Sequence, residues 1–181
     1  MRVVGPCRFR PDLRTSAFQV LAQAVISQQI TGTAAASIER KLLSALGRRR
    51  LRPADIGGAS EKTLRSAGLS RQKISYLRDL ARKTQDGLPL RSLGRLPDET
   101  AIEILTSVKG IGRWTAEMYL MFRLGRPDVL PVHDYGIRQA VRAAYRLKKL
   151  PDPAWIRRKA EPWRPYRTIA CWYLWRSLET R

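Results

Sequence analysis

Leu105-Thr106-Ser107-Val108-Lys109-Gly110-Ile111-Gly112-Arg113-Trp114-Thr115-Ala116 is the stretch from which the rest of this chain can be read. Leu105, Val108, Ile111 and Ala116 frame two glycines that stand two positions apart, the pattern of a tight turn between two packed helices. Glycine at 110 and 112 permits a left-handed backbone and lets another backbone come close. The amides of Gly110, Gly112 and the residues opening the next helix are then expected to point outward together. Such N–H donors at a helix N-terminus suit a phosphate oxygen. An ordinary helix–helix turn can carry the same glycines, so the charge of the surrounding chain decides between the two readings.

That charge is large. The 181 residues hold 35 Lys+Arg against 15 Asp+Glu, a net +20, with a pI near 11.2. Arg outnumbers Lys 27 to 8, which a GC-rich genome explains, but that bias does not explain the scarcity of acids. Hydrophobic residues make up 44%, so the chain is globular, not a basic disordered tail. The length suits one domain or two small lobes, burying roughly 70% of the unfolded surface. Five Trp and six Tyr are interleaved with the cations, which points to nucleic acid before a membrane surface. No apolar run approaches the ~18 residues of a membrane span, and no leader pattern opens the chain. A cytoplasmic, prokaryote-like and nucleoid-associated protein is expected. Cys7 and Cys171 are the only cysteines, too few for a four-thiolate zinc or iron–sulfur site within one chain.

Outward from the hairpin, the signals are helical. Ser16 with Gln19 reads as a capping box before Phe18, Leu21, Ala24 and Val25. Further helices are expected over Thr33–Leu46, Ser60–Ala67 and from Ser70 to Gly87, then from an Asp98 cap to the hairpin, and again from Arg113. Pro89 to Pro97 reads as a connector. Tyr135–Tyr145, a short helix after Pro153, and Thr168–Thr180 complete the chain. No stretch alternates long enough for a strand. The expected class is all-α.

Four segments in order resemble the helix-hairpin-helix DNA glycosylase superfamily, and most closely its alkylbase branch of the 3-methyladenine DNA glycosylase II type. They are Ala24-Val25-Ile26-Ser27-Gln28-Gln29-Ile30, Gly68-Leu69-Ser70-x-x-Lys73, the hairpin Val108–Ala116, and Leu130-Pro131-Val132-His133-Asp134-Tyr135-Gly136-Ile137-Arg138. The likeness covers roughly residues 15 to 178. It implies two helical lobes with a cleft between them, one of about residues 31–125 and the other of about 1–30 plus 126–181. Several members of the branch carry an N-terminal β-rich domain. Only about 15 residues precede the first helix here, so that domain is expected to be absent.

The resemblance assigns roles residue by residue. Asp134, 22 residues after Gly112, matches the family's invariant carboxylate at the cleft mouth. Breaking an N-glycosidic bond builds positive charge on the sugar, which a carboxylate stabilises while orienting water. An N-cap of the Tyr135 helix is the plainer role for Asp134, and the two are compatible. His133 stands where relatives often have another Asp and reads as a loop residue. Trp114 occupies the position where bifunctional members carry the Schiff-base lysine. An indole cannot be that nucleophile, so the resemblance implies water displacing the base, without lyase activity.

By alignment Trp114, Tyr135 and Trp175 line a base pocket suited to cationic alkylpurines through stacking and cation–π contact, with Met118 in place of another aromatic. For each of these residues taken singly, helical core is the commoner role. Gln29 matches the wedge that fills the gap left by an extruded base, or is a helix-end residue in solvent. Gly110, Gly112, Arg113, Thr115, Lys73, Arg164 and Arg167 are candidate DNA contacts. The backbone carbonyls of Thr106, Val108 and Ile111 match the positions that hold Na⁺ or K⁺ under the hairpin in relatives; no cofactor is otherwise expected, and no iron–sulfur cluster. The partner implied is double-stranded DNA with damaged bases, bound by a monomer. The competing readings are a glycosylase for deaminated or oxidised bases on the same scaffold, and a non-catalytic helix-hairpin-helix binding module.

Overall fold

The structure, a computed structural model, describes residues 4–179. Its helices are α1 (Ala17–Ser27), α2 (Gly32–Ala45), α3 (Pro53–Gly58), α4 (Glu61–Ser66), α5 (Arg71–Gln85), α6 (Asp98–Thr106), α7 (Arg113–Phe122), α8 (Tyr135–Ala144), α9 (Pro153–Lys159) and α10 (Arg167–Glu179). Short 3₁₀ turns lie at Leu93–Arg95, inside the expected connector, and at Glu161–Trp163. No strand occurs among the described residues, in accord with the all-α expectation. No described helix is long and apolar enough to cross a membrane.

Side-chain caps set most of the starts. Ser16, Thr31, Ser60, Ser70, Asp134 and Asp152 each accept the amide three residues on, worth about 1 kcal/mol apiece. Two expectations change in detail. Ser16 does accept the Gln19 amide, but the Gln19 side chain reaches Glu39 at 3.4 Å instead of turning back to complete a capping box. Asp98 is the first helical residue of α6, after Pro97 at the cap; there its carboxylate favours the positive end of the helix. The expected helix end at Thr180 lies outside the described residues.

The chain divides into two compact units, the continuous stretch Arg14–Tyr119 and the combination of residues up to Leu13 with those from Leu120 onward. Compared with the expected lobe of about 31–125, α1 falls in the central unit. The reason is its apolar face: Phe18, Leu21, Ala22, Val25 and Ile26 are buried, and α1 packs on α2 and α5. Residues 1–3 and 180–181 of the expected outer lobe lie outside the described residues.

Within the central unit α5 is the hub. It packs against α1, α3 and α4, with Leu77 and Leu80 fully buried. In the other unit α8 packs on α10. The segment before α1 joins it there: the Asp12 amide donates to the Phe122 carbonyl at 2.8 Å, and the rings of Phe9, Phe122 and Trp175 follow one another at 5.5 and 6.1 Å.

Candidate active site and nucleic-acid interface

In the unit that holds α8 and α10, Asp134 is the N-cap of α8, and its Oδ1 accepts the Ile137 amide at 2.7 Å. The same oxygen accepts the indole N–H of Trp175 at 2.9 Å. Two donors on one oxygen, from α8 and from α10, fix the carboxylate in place. Gly136 makes this approach possible: a β-carbon there would lie 3.2 Å from Asp134 Oδ1 and 3.2 Å from the Trp175 ring. Trp175, expected to line the base pocket, thus spends its N–H on orienting Asp134. Residues 130–138 alone signal neither that bond nor the tight fit at Gly136, because the Trp175 ring comes from α10. Tyr135, next to Asp134, is 66% exposed and its hydroxyl accepts from Gln139 at 2.6 Å. His133 is exposed in the loop.

In the central unit the hairpin joins α6 to α7. Gly110 has φ +79°, and a β-carbon on it would meet the Tyr76 ring at 2.1 Å. Gly112 has no left-handed backbone and nothing within 4 Å of a β-carbon. Of the two reasons for glycine, the first therefore applies at 110, whereas 112 stays open to a ligand on the outside. Arg113 opens α7, and a helix N-terminus presents backbone N–H donors of the kind an anion needs, although the Ala116 amide already donates to the Gly112 carbonyl at 3.0 Å. Trp114 is 51% exposed, Met118 half-buried, and Thr115 half-buried in the same first turn.

A line of α5 side chains holds the hairpin from behind. Asp79 Oδ2 accepts the Lys109 amide at 2.9 Å, Lys83 Nζ donates to the Ser107 carbonyl, and Tyr76 lies under Gly110. Burial pushes the Asp79 carboxyl up, but the Lys109 amide, Arg82 and Lys83 outweigh it and hold it below the usual carboxylate range. One turn back, Lys73 Nζ donates to the Ile26 carbonyl at the end of α1 at 2.6 Å; burial lowers its pKa. Gln28 Nε2 reaches the Gly110 carbonyl at 2.7 Å. Between these tethers Gln29 is exposed, with φ 58°, and Ile30 beside it is also exposed.

The arginines singled out in the sequence have partners of their own. Arg113 binds both oxygens of Glu99 at 2.6 and 2.8 Å and Glu117 at 3.1 Å. Arg167, only 14% exposed, grips Asp128 through Nε at 2.6 Å and Nη2 at 2.9 Å. Arg164 pairs with Asp128 at 2.7 Å and Glu161 at 2.9 Å. Burial pushes the Asp128 carboxyl up, and the Arg167 and Arg164 guanidiniums reverse this to a net lowering. With Lys73, all four cations expected at phosphates are engaged inside their own unit. Sequence spacing gave no sign of it, since Asp128 precedes Arg167 by 39 residues.

A two-glycine hairpin and a capped Asp after it narrow the possibilities, and comparison with known families decides among them. Residues 22–165 match the model of the HhH-GPD superfamily base excision DNA repair proteins. The chain belongs to this superfamily. Among its HhH-GPD relatives is DNA-3-methyladenine glycosylase 1 of Schizosaccharomyces pombe, 37% identical over 98% of this chain and 79% of the relative. A crystal structure of a DNA-3-methyladenine glycosidase from Bacillus halodurans superposes with a TM-score of 0.85 at 34% identity, covering 93% of this chain and 78% of that one. The S. pombe 3-methyladenine DNA glycosylase in complex with abasic DNA gives a TM-score of 0.81 at 36% identity, over 98% and 88% of the two chains. The HhH-GPD match includes the α1 end, the hairpin and Asp134.

Proposed function

We propose that the protein is a monofunctional DNA glycosylase of base excision repair, removing alkylated purines such as 3-methyladenine from duplex DNA and leaving an abasic site. The observation that carries this reading is the Asp134 carboxylate, fixed through one oxygen by the Ile137 amide and the Trp175 indole. The HhH-GPD membership and the names of the relatives support the substrate class.

A purine alkylated at N3 or N7 is cationic. When its bond to C1′ breaks, the bonding pair goes to the purine, which leaves neutral, and the sugar becomes an oxocarbenium ion. Asp134 faces that charge as a preoriented anion, so little reorganisation is needed at the moment of reaction. Water then adds to C1′, and its proton passes to the carboxylate as general base. Trp114, standing where bifunctional relatives have a lysine, supplies no amine to attack C1′, so no strand cleavage by the enzyme is expected. Beside Asp134 the exposed ring of Tyr135 offers a π-face to a cationic base; in the central unit the exposed ring of Trp114, with half-buried Met118 one turn on, offers another. Exposed Gln29 is the wedge, filling the place of the extruded nucleotide and hydrogen-bonding the orphaned partner base. The hairpin amides from Gly110 and Gly112 onward, with Thr115, hold a backbone phosphate.

A monovalent cation under the hairpin belongs to the same proposal, supported by carbonyls with acceptor capacity to spare. Neither the Thr106 nor the Ile111 carbonyl accepts a hydrogen bond from a described residue, and the Val108 carbonyl accepts only the Ile111 amide at 3.1 Å. These three carbonyls would hold Na⁺ or K⁺, which when bound adds positive field beneath the phosphate.

Single-turnover base release from DNA methylated at purine N3 and N7 tests the reading, with hypoxanthine and uracil duplexes alongside. Methylpurine release, with nicks only after alkali, is the expected result. Asp134→Asn keeps a cap oxygen and removes the charge; it should slow release at least about 10³-fold while DNA affinity stays within a few-fold. Release from the other duplexes alone would move the substrate, and no release from any would leave a binding module.

A further inference from the structure

The four cations expected at phosphates each have a partner within their own unit, Arg113 and Arg164 in half-exposed ion pairs. A group of cations without such partners stands at one end of the α8 unit. Residues 135–160 contain eight Lys/Arg and one acid. That acid, Asp152, accepts the Trp155 amide as the cap of α9, and Arg138 is bonded to the Pro151 carbonyl. The other seven are exposed. Arg142 sits in the last turn of α8, Arg146 just past it, and Lys148 and Lys149 in the loop. Arg157, Arg158 and Lys159 close α9. None of the seven has an acidic partner among the described residues.

The face is braced. Tyr145 and Trp155 meet edge to face at 5.4 Å, joining the end of α8 to α9, and Lys159 stands over the Trp155 ring at 5.8 Å. Arg142 and Arg146 are the charged walls of a depression of about 600 Å³ that Leu178 borders on the α10 side. Cations in a last helical turn are explained by the helix dipole alone, which accounts for Arg142 and the α9 residues. It does not account for Lys148 and Lys149, nor for Arg146. The Leu147 amide bonds back to the Arg142 carbonyl at 2.9 Å and the Arg146 amide to Ala143 at 3.3 Å, the closing pattern of a helix end whose left-handed residue is most often glycine. Here that residue is Arg146, with φ 53°, so a guanidinium stands where glycine would fit more easily.

We propose that this face is a second binding surface for the phosphodiester backbone of duplex DNA, at the end of α8 remote from Asp134. The choice of DNA rests on the glycosylase reading; the polyanion specificity rests on the charge. Ten residues of α8 span about 15 Å, along which one DNA strand presents about four phosphates. The exposed large apolar side chains near the face are Tyr145 and Leu178, too few to anchor a membrane or an apolar peptide. Contacts of this kind read no base, so the surface holds undamaged duplex as readily as damaged.

The test is the salt dependence of binding to an undamaged duplex of about 30 base pairs, which needs no turnover. Arg146→Gly with Lys148→Gln and Lys149→Gln removes three charges and leaves the helix end a glycine. Lys148→Glu with Lys149→Glu, both in the exposed loop, is the second variant should the first fold poorly. Each lost contact lowers the slope of log affinity against log salt by about 0.9, so the triple variant should lose about two to three from the slope and about tenfold or more in affinity at about 0.1 M salt. Arg49→Gln, Arg50→Gln and Arg52→Gln together remove the same charge from the loop before α3 and serve as the control. An unchanged slope, an equal fall in the control, or competition by poly-glutamate as effective as by duplex would each overturn the proposal. A protein that releases no base but shows the expected slopes would keep this surface and lose the glycosylase reading.

Discussion

A methyl group on Gly110 would lie 2.1 Å from the Tyr76 ring, on a backbone already at φ +79°, whereas one on Gly112 would meet nothing within 4 Å. The two glycines should therefore answer mutation differently. Gly110→Ala is expected to cost about 2–4 kcal/mol, the left-handed penalty plus overpacking. Gly112→Ala should stay within about 0.5 kcal/mol in stability and, with a phosphate held at the hairpin as proposed, weaken DNA binding several-fold. Thermal melts and binding isotherms of the two variants check this. At this scale the sequence was legible where few residue types can meet what a position demands, as with a glycine that must turn left or an aspartate that caps a helix. It was not legible for Arg113, Arg164 and Arg167, whose pairing depends on Glu99 and Asp128 being brought near by tertiary packing. Gly136 was missed for the same reason, since the Trp175 ring that crowds it comes from α10, far along the chain.

Among the elements, α5 does most to position the hairpin. Lys73, Tyr76, Asp79 and Lys83 lie three or four residues apart, the spacing of one helix face. They meet the α1 end, Gly110, the Lys109 amide and the Ser107 carbonyl in turn. From sequence, α5 was legible as an amphipathic helix with an apolar face; of its polar line only Lys73 was singled out, as a candidate DNA contact, because the partners of the other three come from the distant hairpin. The buried Asp79 at its centre makes a pH prediction. A carboxyl held below its unfolded value adds stability that is present above the unfolded pKa of about 4 and is lost as pH falls through the lower folded pKa. Asp79→Asn should destabilise the protein by about 1–3 kcal/mol at neutral pH, with a shallower loss of stability below about pH 4 than the wild type. Asp128 acts with the same sign and keeps the slope from vanishing. Urea unfolding between about pH 2.5 and 7 reads both effects.

For the molecule as a whole, net charge announced a polyanion from the composition, but where that charge is free to act depended on the fold. The hairpin's one arginine is paired with Glu99 and Glu117, which leaves backbone amides as the donors of the grip proposed there. The α8–α9 face carries unpaired cations. Affinity for undamaged duplex should therefore fall steeply with salt, by about 10³-fold between 50 and 200 mM if about six phosphates are contacted; fluorescence anisotropy measures this directly. The Trp175 bond to Asp134 has a spectroscopic consequence as well. Of five indole N–H groups in the chain, this one donates to the carboxylate proposed to act at C1′. Its ¹⁵N-correlated proton resonance should lie downfield of the rest in the free protein, move on Asp134→Asn, and, if that role holds, follow the arrival of an abasic sugar, so the protein carries an isotope-visible reporter on the carboxylate proposed for catalysis.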